Sequence, residues 1–470
     1  MAGHILNREQ QVACDVIVNP GQYRVVFVSG GPGQGKTATG RRAIAELPLT
    51  TPIAFFASTG SATTLVDLGD RDAEGMTIAL FLGIFKAMER YPAFRREIAD
   101  RHESLRGLAR MVLLGERRAA HGRVIIDEFS MVSLSDMNTL FTIFRGMPNV
   151  VFVLTGDPEQ LRNPGSMPFH RSAELQELVK AGRVASFTLV ENFRFNADPP
   201  LGKAVDGFRF RKQTPELYRT MMEYMYRPRP SLLRAFEKGQ VPVFMAADNN
   251  TVNQTNWNVV KTYIRSFGKG NVLDITVYPF LHEKDEKGAG GELIDQPWAP
   301  GVRGTVTQNL YVNGRRELTN GDRFVVRSVY PPETLNAKNK VAMVVALDSG
   351  GDSHIEAFKH KGKWTLNARV AYVETIHRWQ GREISADTPV VLIVTSATNE
   401  KNWLVAISRL KTLKHLYIDV RNMSPNEAYE LMFTARSKDD GMVDFLRQPE
   451  VKPVPGQQRL KRKRATSIFV

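Results

Sequence analysis

The sequence predicts an α/β protein with two parallel-sheet domains and a small β-barrel inserted into the second half. Three observations carry the prediction. Over the first 165 residues, short unalternating apolar runs trade places with helix-length segments. The same alternation resumes after residue 241. Between these stretches, residues 321–365 break into short β runs separated by Gly, Pro and Asn, the pattern of a small barrel.

Taken in order, the first runs are Arg24–Ser29, Pro52–Ala57, Val124–Asp127 and Val150–Leu154. Runs apolar on both sides suit strands covered on both faces. Lys36–Leu47 and Pro92–Gly122 read as the intervening helices, with the basic stretch Arg95–Arg123 read as a solvated face in preference to a partner surface. Later strands are expected at Val241–Ala247, Val370–Val373, Val390–Thr395 and His415–Val420, with a helix at Ile376–Gln380. Residues 281–303, rich in Gly, Asp and Lys, read as a loop. These features delimit a first domain at 1–195, with a small loop insertion near 66–75. A second domain takes 196–320 and 366–448, the barrel 321–365, and a tail without regular structure 449–470.

The 470 residues fit two or three domains at roughly 100–200 residues each. A net charge of +14 makes a polyanionic partner a fair expectation, and residues 451–470 alone hold six basic residues and no acid. One cysteine, Cys14, excludes a disulfide framework and a cysteine-rich zinc site, and fits a reducing, intracellular setting. No apolar run reaches the roughly 18–20 residues of a membrane span, so no membrane partner is expected. The KRKR run of the tail suits a nuclear import signal, a nucleic-acid tether or plain solvated charge.

The strongest chemical signal follows the first strand: Gly30-Gly31-Pro32-Gly33-Gln34-Gly35-Lys36-Thr37-Ala38. This is G-x-x-x-x-G-K-[ST] between a strand and a helix. Its glycines let backbone N–H groups turn inward around phosphate oxygens, and the helix start adds partial positive charge. Lys36 supplies a charge for the β and γ phosphates of ATP, and Thr37 a hydroxyl for Mg²⁺. The strand VIID ends in Asp127-Glu128, at the sheet edge where α/β ligands bind. Asp127 is the candidate Mg²⁺ ligand, and Glu128 the residue that orients or deprotonates water. After the next strand, Gly156, Asp157 and Gln160 follow, and the Gln160 amide is placed to sense a γ-phosphate. Arg194 and Arg409 are the candidate arginines for phosphoryl-transfer charge. Downstream, Thr375-Ile376-His377-Arg378-Trp379-Gln380-Gly381 precedes Ala406-Ile407-Ser408-Arg409.

These elements, in this order, resemble superfamily 1 helicases of the RecD/Pif-like branch, from residue 5 to about residue 415. Leu6-Asn7-Arg8-Glu9-Gln10 resembles the branch's N-terminal motif, which implies that Gln10 reads adenine. Ser58-Thr59-Gly60-Ser61-Ala62 resembles A-S-T-G-x-A, a motif that borders single-stranded DNA and so implicates Ser58, Thr59 and Gly60. Asp127–Met131 matches D-E-x-S-M, Gly156–Leu161 matches G-D-x-x-Q-L, and Thr319–Asp322 resembles the turn into the inserted barrel. TIHRWQG resembles T-x-H-K-x-Q-G, and AISR resembles A-L-S-R. The resemblance implies two RecA-like P-loop domains gripping ATP between Lys36 and Arg409, with Gln380 and Gly381 at the nucleotide and His377 in DNA contact or ATP coupling. It also implies 5′–3′ movement on single-stranded DNA and at forks, and a strand-separating wedge near 66–75. Departures stand at Ala79, Phe195, Arg162-Asn163 and Glu383, and they suggest a viral or mobile-element member. A nuclear or virus-infected host setting is the corresponding expectation. Two other readings keep the motor: an RNA helicase of the viral kind, and an ATPase subunit of a replication complex that separates no strands. For Phe55 and Phe56 base stacking competes with core packing, and for Trp379 burial is favoured.

Overall fold

The computed structural model of the chain describes residues 5–446, except 58–74, 103–104, 117–120, 163–165, 211–213, 230, 240, 268–271, 278–293, 309, 313–314, 319–320, 337–339, 349, 361, 383, 421–422 and 435–440. The chain divides into two units, residues 1–202 with 437–470, and residues 203–436.

The first unit is built on six parallel strands, β1 (Val25–Gly30), β2 (Ile53–Ala57), β3 (Gly75–Thr77), β4 (Arg123–Asp127), β5 (Val151–Gly156) and β6 (Val184–Leu189). Their spatial order is β3-β2-β4-β5-β1-β6. All six residues of β1 are buried, and the strand's period of two explains how. Val25 and Phe27 enter one core cluster with Phe81 and Phe144, while Val26 and Val28 enter the other with Ala13 and Phe187. Each such side chain contributes about 1.5–3 kcal/mol of burial. Phe55 and Phe56 are core on β2, 3% and 0% exposed, which excludes both from base stacking.

Two expectations are corrected in this unit. The single helix expected over 92–122 is two short ones, Arg95–Asp100 and Gly107–Leu113. Arg123, placed on that solvated face, instead begins β4 and is 4% exposed. Its guanidinium donates to the Ile17, Val18, His121 and Gly122 carbonyls, which is why it can be buried. The other correction concerns Met442–Leu446, expected in the second domain. Met442, Phe445 and Leu446 lie in the first unit's core, with Phe445 edge-on to Phe27 at 6.0 Å.

In the second unit, β7 (Val243–Ala246), β18 (Val373–Thr375), β19 (Val390–Ile393) and β20 (Leu416–Asp419) form a parallel sheet ordered β18-β7-β19-β20. Buried Asn256, on the helix Asn249–Phe267, accepts from Tyr372 and Val373 N–H and donates to Val373 O, fixing the start of β18. Between β7 and β18 the chain builds β8 (Leu273–Val277), β9 (Ile294–Trp298), β10 (Arg303–Val306), β11 (Leu310–Val312), β12 (Arg315–Leu318), β13 (Arg323–Val329), β14 (Val341–Leu347), β15 (Asp352–His360), β16 (Lys363–Leu366) and β17 (Ala368–Val370). Eight of these strands form one mostly antiparallel sheet, ordered β17-β10-β13-β14-β15-β16-β8-β9. The inserted β structure therefore extends from Leu273 to Val370, beyond the expected 321–365. β9 also occupies part of the expected loop 281–303, anchored by Trp298, which is fully buried beside Phe324. Among the described residues no helix is long and apolar enough to cross a membrane.

Candidate active site

Within the first unit, β1 runs straight into the glycine loop, and the helix Lys36–Glu46 begins at its end. Gly33 and Gly35 have φ of 77° and 82°, the left-handed region that glycine enters without steric cost. A Cβ at Gly33 would sit 2.5 Å from Arg194 Cβ, so this glycine is also a close approach. Gln34, 5% exposed, is a strut: its Oε1 accepts from Gly31 N–H and its Nε2 donates to Val190 O at 3.0 Å. Lys36 Nζ donates to the Gly30 and Gly31 carbonyls, 2.9 Å each, which holds its cation over the loop.

The acidic pair lies at the ends of β4 and β5. Thr155 Oγ1 donates to Asp127 Oδ1 at 2.5 Å, and Glu128 N–H donates to the same oxygen at 3.0 Å. That fixes the carboxylate and leaves Oδ2 for a cation. Glu128 has φ 55° and ψ 51°, the one non-glycine residue with positive φ among those described. Such a conformation costs of order 1–3 kcal/mol and recurs at functional sites. Gly156 makes room for the turn, since a Cβ there would meet Phe129 N at 2.9 Å. Asp157, fully buried, accepts from Glu159 N–H at 3.1 Å and from Gln160 Nε2 at 3.4 Å. The Gln160 amide is thereby oriented rather than free to swing.

The segment 191–195 closes the loop from the other side. Phe193 N–H donates to Gly33 O at 2.9 Å. Asn192 Nδ2 donates to Pro32 O at 2.9 Å, and Asn192 Oδ1 accepts from Arg194 N–H and Phe195 N–H. Arg194 is thus held against the glycine loop, and Phe195, one of the departures, is 4% exposed and packed. Gln10 reaches the loop from the first helix. Its Oε1 accepts from Asn7 N–H in a capping box, and its Nε2 donates to Gln34 O at 3.3 Å.

In the second unit, Thr375 precedes the one-turn helix Ile376–Trp379, with Gln380 2% exposed and Gly381 at φ 78° behind it. His377 is half-buried, and Trp379 is buried as expected. Arg409, at the end of the helix Glu400–Ser408, is 5% exposed. Its guanidinium donates to Val405 O at 3.2 Å, Ser408 Oγ at 3.0 Å and Arg382 O at 3.2 Å. Burial first, and then the neighbouring Arg382, pushes Arg378 down to about 10.

One end of the first unit's sheet therefore gathers Gln10, the loop Gly31–Ala38, Asp127, Glu128, Gln160 and Arg194. His377, Gln380, Gly381 and Arg409 belong to the second unit. Ser58, Thr59, Gly60, Glu383, Thr319 and Asn320, the insertion near 66–75 apart from Gly75, and the tail 449–470 lie outside the described residues. Thr155 and Asn192 were not anticipated. The register Asp127↔Thr155 is the signal for the first. The second has only its place beside Arg194.

Residues 5–220 match the family model of the AAA domain. Among the curated proteins, none matches the sequence. Solved structures match over both halves of the chain. The Pif1 helicase of Candida albicans aligns with a TM-score of 0.62 at 18% identity, covering 94% of this chain and 99% of that one. A Bacteroides Pif1 helicase in complex with ADP-AlF3 and single-stranded DNA aligns at 0.62 and 17%, covering 94% and 97%. The chain has the fold of the Pif1 helicases. A further Pif1 structure, described at forked double-stranded DNA, aligns at 0.61 and 17%, covering 94% and 97%. The Pif1 fold accounts for the two parallel sheets and the inserted antiparallel one.

Proposed function

We propose that the chain is an ATP-dependent DNA helicase that moves 5′ to 3′ on single-stranded DNA and opens forks. The observation that carries the proposal is the clustering of Lys36, Asp127 and the strained Glu128 at one sheet end around a glycine loop that tolerates no Cβ at Gly33. The loop's amides and Lys36 bind the triphosphate. Glu128 accepts a proton from the attacking water, and its fixed backbone keeps its carboxylate aimed without reorganisation. Arg194, pinned by Asn192, offsets charge on the transferring phosphoryl group.

The donor set suits Mg²⁺: the Thr37 hydroxyl and the Asp127 carboxylate, both hard oxygen donors, would hold it. Held there, Mg²⁺ would supply charge neutralisation between the β and γ phosphates. A single strand would be gripped through its phosphates without regard to sequence.

The test is ATP turnover by the purified chain with oligo-dT or oligo-U. Stimulation by oligo-dT, abolished by Lys36→Ala, supports the reading. Stimulation by RNA alone rejects the DNA assignment, and turnover indifferent to either polymer rejects the motor.

A further inference from the structure

The inserted sheet turns a charged row inward. Thr305 on β10 is paired directly with Arg369 on β17 and Arg323 on β13, so the three side chains stand on one face. Thr307 and Asn367, two residues along, continue that face. Arg369 is 3% exposed, and among the described residues its Nε and one terminal nitrogen have no hydrogen-bond partner. The hydroxyls of Thr305 and Thr307 and the Nε of Arg323 are buried and, among the described residues, equally without partners.

Charge is unbalanced there. Glu374, 1% exposed, takes Arg323 and, at 3.6 Å, Arg382. Arg323 also lies 4.2 Å over the Trp379 ring. Arg378, Arg382 and Arg323 all act on Arg369, and Arg303 acts on Arg323. Asp348 opposes Arg323, and Asp322 opposes Arg382. Among the described residues, five guanidiniums thus face three carboxylates. Arginine does not shed its proton in proteins, so burial cannot relieve the excess by neutralising it. An unpartnered planar fork is the group that takes an oxyanion bidentately.

We propose that this patch is a binding site for a phosphate oxyanion, gripped by Arg369 and Arg323 with the Thr305 and Thr307 hydroxyls. Half-buried Arg378 and Arg382 form its open rim. The site belongs to the second unit, and it stands whether or not the chain unwinds DNA.

The test uses the full chain carrying Lys36→Ala, which removes the competing cation of the glycine loop. Its thermal midpoint is compared in phosphate and in chloride at equal ionic strength. A rise of roughly 5–10 °C is expected at phosphate a hundredfold above its dissociation constant. Adding Arg369→Met should remove that rise and leave the midpoint in chloride equal or higher, because the excess charge has gone. Equal midpoints in the two salts, or an undiminished rise with Arg369→Met, overturns the proposal. Equilibrium dialysis of the Lys36→Ala chain against labelled phosphate needs no second variant. One ion retained per chain supports the site, and none retained overturns it. Oligo-dT then separates the sources: displacement of the ion assigns the site to strand phosphodiester, and retention assigns it to free phosphate.

Discussion

Thr155 Oγ1 donates to Asp127 Oδ1 across the β4–β5 register at 2.5 Å, and this bond, with the one from Glu128 N–H to the same oxygen, fixes the orientation of the carboxylate. Thr155→Val should keep the fold and lose the orientation. The expected result is a half-saturating Mg²⁺ concentration raised about 10–100-fold, the usual effect of removing a partner behind a metal ligand. ATPase titrations with Mg²⁺ measure it, and recovery in Thr155→Ser would confirm that the hydroxyl is responsible.

Glu128 should trade stability for turnover. Glu128→Gly relieves the left-handed backbone and should stabilise the first unit by about 1 kcal/mol while abolishing hydrolysis. Glu128→Gln keeps the shape and should bind ATP normally, with turnover down by roughly 10²–10⁴-fold. Denaturant melts and single-turnover kinetics separate the two effects. A destabilised Glu128→Gly would show that the neighbours, rather than the residue, demand this turn.

Asn192 holds Pro32 O and two backbone N–H groups with one side chain. Asn192→Ala leaves those groups without their partner, each at about 1–3 kcal/mol where buried. The KM for ATP should rise about tenfold with a smaller fall in kcat, because the loop loses its brace before the chemistry loses a group.

Burial, then the Glu46 carboxylate, raises the Cys14 thiol to about 12 from 9.0. The protonated thiol is therefore favoured in the folded state. Its contribution to stability is complete below pH 9.0 and is lost as pH climbs towards 12. Cys14→Ala should flatten that part of the pH–stability curve. Native protein should also resist thiol reagents at pH 8 until it unfolds, which a timed labelling experiment reads directly.

What was legible in the sequence was local. The glycine loop announces itself because its amides, lysine and threonine are contiguous between a strand and a helix. Asp127-Glu128 does so because a strand end delivers it. Thr155 and Asn192 were illegible because a lone polar residue acquires its role only from its neighbour in space. Met442–Leu446 is too short for periodicity to tell where it packs. The Gly- and Asp-rich stretch before β9 hid the true extent of the inserted sheet. Arg123 was misread because charge suggested solvent, whereas four backbone carbonyls receive it.

The most direct test of the central claim is strand displacement on partial duplexes carrying either a 5′ or a 3′ single-stranded tail, with ATP and Mg²⁺. The account predicts ATP-dependent release from the 5′-tailed duplex, and none with Lys36→Ala. Release only from the 3′-tailed duplex, or none from either while ATP is consumed, would contradict it.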